Sequence, residues 1–486
     1  MKKSRYQKLV LAVSLAAVTA FGASMPVYAA SAASAASAAD AQADGAVQPP
    51  MPPDGQPPMG PDGQPPMGPP PDGFGKGPGG PGGMQQMKSV SEFQAAKIVD
   101  GKAEALTDVT FSADQKDQNV VLVRNGGVLT LTKGTLQKTG DSSSADASNF
   151  TGQNAIVLAS DSQAVLNNLV LNSDADGANA VFATGSKAKI TATHLRIHTK
   201  NNSSRGLDAT YNGTVEASDV DITTEGAHCA ALATDRGEGT VTVHNGTFQT
   251  SGQGSPCVYS TGNISVYDSQ GQATGSEIAC VEGKNSIYLE NTDLTGMKDH
   301  GVMLYQSFSG DAGVGEAHFE AKNSTLNNLS TGPMFYVTNT KAVAKLENTE
   351  LNTKGDTIVS VGTGRWGRKG SNGGDFTLEA KNQELRGKVS VDALSRFTLN
   401  LGDGALYAGA FNADHTAKYT KISLASKAKL ILTADAYVSD FEDAAGNFKN
   451  IRSNGHNIYY DAKTASKLGG KTYELPGGGH LQPAKA

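Results

Sequence analysis

An imperfect repeat fills the chain from Asn119 onward and constrains its fold more than any other feature. About eleven segments of 20 to 35 residues follow one another, and several open alike, at 180–184, 230–234, 257–261 and 334–338. After a turn, each has a second run with apolar residues two apart, such as Ile190 and Ala192. Alternation with period two, rich in Thr, Val and Ile and bounded by Asn, Gly, Ser and Asp, predicts strands joined by turns.

The repeat unit is too short to bury its own apolar face, so the segments must stack into a solenoid. Their unequal lengths favour an all-β, right-handed parallel β-helix of about eleven coils, in which the strands stay in register and the turns absorb insertions. A β-propeller needs about 40–50 residues per blade, and an antiparallel sandwich is the weaker alternative. Because the ends of a stack expose strand edges, we expect an N-terminal cap at 87–118, the β-helix at 119–433, and a C-terminal cap and tail at 434–486.

Residues 1–29 are typical of a secretory signal peptide. Four basic residues precede an apolar stretch at 9–21, and small residues end it just before Ala30. The stretch is short for a membrane anchor, and no later stretch approaches the ~20 apolar residues that span a bilayer. We therefore expect an exported protein, secreted or at the cell surface, with no membrane span in the mature chain.

Residues 30–86 change from an Ala/Ser stretch to a Pro/Gly tract. The tract holds 14 of the 19 prolines, between Pro49 and Pro81, and repeats the sequence Pro-Asp-Gly-Gln-Pro-Pro-Met-Gly at 53–60 and 61–68. Such a composition buries too little apolar surface to offset its conformational entropy. The sequence predicts a disordered linker, acting either as a spacer or as a passive tail.

The charge balance disfavours one class of partner. The chain has 41 basic and 47 acidic residues, a net charge of −6, and no block of Lys and Arg offsets the acidic excess. Binding to a nucleic-acid backbone requires such a basic patch. We therefore expect no nucleic-acid partner.

Four stretches carry a resemblance to a known class of proteins: RGLDAT at 205–210, ATDRG at 233–237, GKNS at 283–286 and LYQSFSG at 304–310. In these the chain resembles secreted bacterial right-handed parallel β-helix proteins, which are adhesin-like or pectate-lyase-like in fold. The resemblance covers about 119–486. It implies the fold and an extracellular or cell-surface location, and it says little about chemistry.

Aligning the segments on their shared Thr places chemistry-bearing residues in columns. One column contains Phe182, Asp208, Leu232, Tyr259 and Glu282, and the column two residues on contains Thr184, Thr210, Thr234, Thr261 and Lys284. Residues two apart share a sheet face. Carboxylates, Arg and aromatic rings on one strand face suit a polysaccharide, although charges that merely keep a surface solvated are the alternative. The candidate ligand-binding residues are Asp208, Asp235, Arg236, Tyr259, Glu282, Lys284, Tyr305, Arg365 and Trp366.

A calcium-dependent lyase would need several carboxylates around one ion and an Arg or Lys base. Asp208 and Glu282 lie three coils apart, about 14 Å, which is too far to share a metal. The paired Asp and Gly-His-Gly of polygalacturonase-like hydrolases are missing from the sequence. We therefore assign no catalytic residue, no metal ligand and no cofactor, and calcium enters only under the lyase alternative.

Cys257 and Cys280 occupy the same place in consecutive segments of this alignment. Equivalent Cα atoms of stacked coils lie about 4.8 Å apart, which is within the range of a disulfide bond. The pair is a candidate disulfide, and two small buried residues are the alternative.

These features together predict an adhesin-like or polysaccharide-binding protein that contacts a polysaccharide or a host or bacterial surface glycan through many weak contacts. A calcium-dependent lyase or a glycoside hydrolase acting on uronate polymers is one alternative, and a passive structural surface spike is another.

Overall fold

A computed structural model describes residues 88–485, in which stacked parallel sheets form an all-β solenoid of about 16 turns. The predicted β-solenoid is confirmed, with more turns than the eleven expected. Its right-handed sense stays a prediction, based on the general preference for right-handed crossovers. The predicted signal peptide at 1–29 and the predicted linker at 30–86 lie outside the described residues.

The first part of the solenoid contains one α-helix, α1 (Ala145–Thr151), and the following strands: β1 (Gln94–Asp100), β2 (Ala103–Ala113), β3 (Gln118–Arg124), β4 (Val128–Lys138), β5 (Val157–Ser160), β6 (Gln163–Ser173), β7 (Val181–Thr184), β8 (Lys189–Thr199), β9 (Leu207–Thr210), β10 (Thr214–Thr224), β11 (Leu232–Thr234), β12 (Thr240–Thr250), β13 (Val258–Ser260), β14 (Asn263–Tyr267), β15 (Gln270–Ala273), β16 (Ala279–Glu282), β17 (Ser286–Glu290), β18 (Asp293–Gly296) and β19 (Val302–Tyr305).

The second part consists of the following strands: β20 (Glu316–Lys322), β21 (Thr325–Asn328), β22 (Phe335–Thr338), β23 (Lys341–Glu347), β24 (Glu350–Thr353), β25 (Thr357–Val361), β26 (Asp375–Lys381), β27 (Glu384–Arg386), β28 (Lys388–Val391), β29 (Arg396–Leu401), β30 (Leu406–Gly409), β31 (Tyr419–Leu424), β32 (Lys429–Leu432), β33 (Ala436–Val438), β34 (Asp440–Asp443), β35 (Ile451–Arg452), β36 (Ile458–Tyr460), β37 (Tyr473–Glu474) and β38 (His480–Pro483). Two short 3₁₀ helices, Val90–Glu92 and Ser466–Leu468, complete the elements.

Two long parallel sheets form most of the coil, because each turn as far as β28 adds one strand to the first sheet and one or two strands to the second. Two four-stranded sheets, β27-β30-β32-β35 and β33-β36-β38-β37, contain most of the later strands. The first sheet, here called the front sheet, has twelve strands in the order β1-β3-β5-β7-β9-β11-β13-β16-β19-β22-β25-β28. Inward side chains repeat from coil to coil, so that Val181, Leu207 and Leu232 stack in register and are fully buried. Burying one continuous apolar ladder is what a single repeat could not do alone.

The long strands opposite the front sheet bend at one residue per coil. In β2, β4, β6, β8, β10 and β12 the sixth residue has a positive φ, and these residues are Asp108, Lys133, Asn168, His194, Asp219 and Asn245. Asn and Asp tolerate this left-handed conformation better than most residues. The Asn245 amide donates a hydrogen bond to the Asp219 carboxylate of the coil before, so the bends stack as a polar ladder.

Both ends of the described chain contribute strands to the stack. At the N-terminal end, β1 pairs with β3 and β2 pairs with β4, all in parallel. At the C-terminal end, β33, β36 and β38 pair in parallel, and only β37 pairs antiparallel. These extra turns lie in segments where the sequence repeat is not recognisable, which is why the sequence count of eleven was too low. Within residues 88–485, no helix is long and apolar enough to cross a membrane.

Candidate functional site

Three insertions into the coil surround the outer face of the front sheet. Residues 139–156, which contain α1, enter before β5, residues 306–315 follow β19, and residues 362–374 follow β25. Together with strands of the front sheet they enclose a cavity of about 600 Å³. In this cavity α1 forms one wall, residues 362–374 form the other, and residues 306–315, here called the side loop, close one edge.

The α1 wall is attached to the sheet by polar contacts. The Thr210 hydroxyl donates to the backbone carbonyl of Phe150 at 3.0 Å. The Asn179 amide donates to the carbonyl of Ser148, also at 3.0 Å. The Phe150 ring in turn makes a cation–π contact with the Arg236 guanidinium, whose central carbon lies 3.8 Å from the ring centroid. The helix therefore both closes the cavity and holds one of its charged residues.

The opposite wall presents Trp366, which is only 3% exposed. The Asn372 amide donates to the Trp366 carbonyl at 2.9 Å. Gly367 next to it has φ 85°, and a Cβ there would lie 2.1 Å from the Asn339 amide oxygen, so only glycine fits. The Trp366 ring centroid is 6.0 Å from that of Tyr305. The buried Trp366 Nε1–H has no hydrogen-bond acceptor among residues 88–485.

Glu282 lies at the base of the side loop with 1% of its surface exposed. The Tyr259 hydroxyl donates to its Oε2 at 2.9 Å, and the Ser307 hydroxyl donates to its Oε1. Burial raises the pKa of Glu282 above its ordinary value. Hydrogen bonds to the carboxylate oppose this rise in pKa, and the negative charge of Asp311 adds to it.

The side loop connects Glu282 to a second carboxyl group. The Ser309 hydroxyl lies 2.8 Å from the Ser307 hydroxyl and accepts a hydrogen bond from the backbone N–H of Asp311 at 3.2 Å. The Asp311 carboxylate forms an ion pair with Arg236, with Nη2 and Oδ1 2.6 Å apart. Glu282 is thus held by neutral hydroxyl groups of the side loop, whereas Asp311 of the same loop is held by a cation outside it.

A buried charge cluster lies beneath the cavity. The Arg205 guanidinium is 4% exposed and bonds both Asp208, at 3.0 Å, and Asp235, at 2.7 Å. Burial raises the pKa of both carboxyl groups, and the charge of Arg205 only partly offsets this. One guanidinium therefore balances two buried carboxyl groups. Because these two groups interact, the protonation of one affects the pKa of the other.

A further group of lining side chains consists of Glu277, His300 and Tyr336. The His300 imidazole lies 3.4 Å from the Glu277 carboxylate, and its ring stacks on Tyr336 with centroids 4.3 Å apart. Burial acts to raise the pKa of Glu277, but the hydrogen bonds that its carboxylate forms with His300 and Ser276, together with the charge of His300, lower it below its ordinary value. The cavity therefore has carboxyl groups in contrasting environments, one favouring the protonated form and one the ionised form.

Seven of the nine candidate ligand-binding residues line the cavity: Asp235, Arg236, Tyr259, Glu282, Tyr305, Arg365 and Trp366. Asp208 is fully buried behind Arg205. Lys284 lies outside the cavity, where its half-exposed side chain pairs with Glu238 at 2.8 Å. Its backbone N–H, however, donates to the Gly313 carbonyl at 2.9 Å and so fixes the side loop.

The predicted columns were wrong in register. The structure pairs Asp208 with Ala233 rather than with Leu232. It pairs Glu282 with Tyr305, which puts Glu282 in the row of the shared threonines. The turn before β16 is two residues shorter than the turn before β13, so an alignment on the shared Cys and Thr is displaced by two positions.

The candidate disulfide between Cys257 and Cys280 is contradicted for the same reason, and both are small buried residues instead. Cys280 pairs in register with Tyr259, two residues beyond Cys257. Cys257 belongs to the inner core, whereas Cys280 packs with Tyr305 and Trp366 on the outer face. All three cysteines are free and buried. Burial raises the pKa of the Cys257 thiol to about 12.

Several lining residues were not among the nine candidates predicted from the sequence, namely Arg205, His228, Glu277, His300, Ser307, Asp311 and Tyr336. Coil length is the signal that could have found two of them, because Ser307 and Asp311 lie in an insertion between strands that other coils join by short turns. In the described part of the chain, no three His, Cys, Asp or Glu side chains are grouped so that they could hold a metal ion.

The sequence matches no protein-family model, and it has no significant match among curated proteins or solved structures.

Proposed function

We propose that the chain binds an uncharged carbohydrate in the cavity on its front sheet. The observation that supports this most is the composition of the lining, which combines six carboxyl groups and three guanidinium groups with the aromatic rings of Tyr259, Tyr305, Tyr336 and Trp366. Carboxylate oxygens accept hydrogen bonds from sugar hydroxyls, and aromatic faces supply apolar surface for the sugar rings.

The size and shape of the site favour a short segment over a long polymer. A cavity of about 600 Å³ is in the range that encloses a small-molecule ligand. The candidate residues converge there instead of extending along the solenoid. Binding of one glycan segment in one cavity therefore replaces the expected series of weak contacts along the strands.

The charges argue against a uronate ligand. Recognition of a carboxylate calls for a guanidinium that can make two parallel hydrogen bonds. Arg205 is already bonded to Asp208 and Asp235, and Arg236 is bonded to Asp311. The third guanidinium of the lining, that of Arg365, lies over the Trp366 ring, 4.7 Å from its centroid. A further negative charge would also be repelled by the acidic excess of the lining.

Calorimetric titration tests the proposal. The purified protein is titrated with cello-, xylo-, manno- and galacto-oligosaccharides and with oligogalacturonates, each with and without calcium. We expect at least one uncharged series to bind, and Trp366→Ala to weaken that binding at least tenfold, or ~1.4 kcal/mol. Tyr419→Ala, which removes an aromatic ring outside the cavity lining, is the matched control.

Two results would contradict this proposal. Calcium-dependent binding of the oligogalacturonates alone would favour the uronate lyase. No binding of any carbohydrate would favour the structural spike.

We further propose that the chain is exported and meets its glycan outside the cell. The support is the sequence of residues 1–29, with its basic start, apolar stretch and small residues before Ala30. Amino-terminal sequencing of the protein from the producing cell tests this. A mature chain that begins at Ala30 is expected, and an intact Met1 on a protein retained in the cytoplasm would contradict it.

A further inference from the structure

Glu282 and Asp311 lie in one cavity but are held in opposite ways. Only neutral groups contact the Glu282 carboxyl group among the described residues, and they include the hydroxyl groups of Tyr259, Ser307 and Ser309 and the backbone N–H of Ser307. A guanidinium, that of Arg236, contacts the Asp311 carboxylate at 2.6 Å. Pairs of carboxyl groups in contrasting environments are what acid–base catalysis requires, since one must donate a proton while the other accepts one.

The surroundings keep Glu282 in its protonated form over a wider pH range than an exposed glutamate. It is 1% exposed, and no cation is in hydrogen-bond contact with it among the residues of the described chain. Burial and the nearby Asp311 charge raise its pKa. A protonated Glu282 can still bond with these hydroxyl groups, because each hydroxyl can donate or accept.

Trp366 gives an independent indication that a polar ligand enters the cavity. Its side chain is 3% exposed and its Nε1–H has no acceptor within residues 88–485. A buried donor without an acceptor costs free energy. A sugar hydroxyl oxygen is an acceptor that would satisfy it, next to an aromatic surface formed with Tyr305.

We infer that the cavity hydrolyses the glycosidic bond of the uncharged carbohydrate it binds, with Glu282 as general acid and Asp311 as general base. This inference rests on the proposed function, because the substrate class is the proposed ligand. The Arg236 guanidinium orients Asp311, and the hydroxyl groups of Tyr259 and Ser307 orient Glu282, so these three are positioning residues.

The reaction balances with water as the only co-substrate. The O–H bond of the Glu282 carboxyl group breaks, and its proton goes to the glycosidic oxygen as the bond between that oxygen and the anomeric carbon breaks. The oxygen of a water molecule bonds to the anomeric carbon, and Asp311 accepts the proton that this water loses. The products are a hemiacetal and an alcohol, and exchange with solvent returns Glu282 to its acid form and Asp311 to its carboxylate.

The test measures hydrolysis and binding on the same full-length protein. The oligosaccharides of the uncharged cello-, xylo-, manno- and galacto- series are incubated with it, and released reducing ends are counted. Glu282→Gln should lower kcat on the bound series by about 10²- to 10⁴-fold while the calorimetric Kd changes little. Glu290→Gln, an exchange of the same kind at a residue that does not line the cavity, should leave kcat unchanged.

A leaving group that needs no protonation separates catalysis from a structural effect. On the 2,4-dinitrophenyl glycoside of the same sugar, Glu282→Gln should lose less than about tenfold, because the acid is dispensable there. Asp311→Asn should lose activity on both substrates. An equal loss for Glu282→Gln on both substrates would overturn its role as general acid.

The result with the wild-type protein alone also decides between hydrolysis and binding. Binding without any released reducing end would overturn the hydrolysis and leave the proposed binding function intact. Absence of binding to all four series would overturn both.

Discussion

The outer face of the front sheet behaves differently in its first coils and in its middle coils. In the first coils, Leu122, Leu158 and Phe182 are fully buried and pack with Phe93 in a small apolar cluster. In the middle coils, the same face presents charged and aromatic residues to a cavity. The backbone is nearly the same in both places, so what covers the face decides whether it closes or stays open.

The covering segments explain the difference. The first coils are covered by apolar side chains of Val90 and Phe93, at the 3₁₀ helix, and of Ala155, at the end of the insertion that contains α1. The middle coils are bounded by three insertions, which contact the sheet through hydrogen bonds such as that between Thr210 and Phe150 and through the rings of Phe308 and Trp366. A repeat can therefore gain a site without changing its core, because insertions are accommodated at the turns.

The largest expected effect is on the buried charge cluster of the middle coils. Arg205→Met leaves Asp208 and Asp235 buried without their cation, and we expect the free energy of unfolding to fall by about 3–5 kcal/mol. Denaturant unfolding measures this, with the exposed Arg196→Met as control. A loss below about 1 kcal/mol would mean that the two carboxyl groups are neutral whether or not Arg205 is present.

A truncation in the closed part of the same face should act on stability alone. Leu122→Ala removes a fully buried side chain from the apolar cluster, and we expect a loss of about 2–5 kcal/mol. Carbohydrate affinity, measured by calorimetry below the unfolding transition, should stay within twofold of the wild type. A much weaker affinity would show that the two parts of the face are coupled. Val165→Ala, at an exposed position, is the control.

A smaller effect should follow from the titration of Glu282. Its pKa in the folded chain is raised above the ordinary 4.5, so above pH 4.5 the folded state retains a proton that the unfolded chain has lost. The free energy of unfolding should therefore fall as pH rises from 4.5 through the folded pKa, by about 1.4 kcal/mol for each unit between the two values. Glu282→Gln should reduce this slope, and the exposed Glu216→Gln should not. Equal slopes in wild type and Glu282→Gln would refute the pKa assignment.

The smallest effect is expected at Lys284. Its ion pair with Glu238 is half exposed, and such pairs contribute about 0–1 kcal/mol. Lys284→Ala should leave both stability and carbohydrate affinity nearly unchanged, because the backbone N–H that fixes the side loop remains. A tenfold loss of affinity would return Lys284 to the list of ligand-binding residues.

The fold was predictable because it follows from local patterning. Alternating Val, Ile, Leu and Ala positions specify which side chains point inward, and the stack follows from burying them. The number of turns was harder to predict, because the strands β1, β2, β36 and β38 lie where the sequence repeat fades.

The candidate site was predictable in its residue types more than in its geometry. Asp235, Tyr259 and Trp366 were selected because charged and aromatic residues on a strand face suit a glycan, and they do line the cavity. Register cannot be read from sequence where a turn shortens by two residues, and this error misplaced Glu282. Asp311 and Arg236 form their ion pair across 75 residues of sequence, so no local sequence pattern could have predicted it.

Trp366 is the only tryptophan of the chain, so its fluorescence reports on the cavity alone. The most direct test of a carbohydrate site there is a fluorescence titration with the oligosaccharide that calorimetry shows to bind. We predict that the emission of Trp366 changes and saturates over the same concentration range as the heat of binding. Heat that saturates while the emission stays constant would place the carbohydrate elsewhere on the protein and contradict the assignment of this cavity.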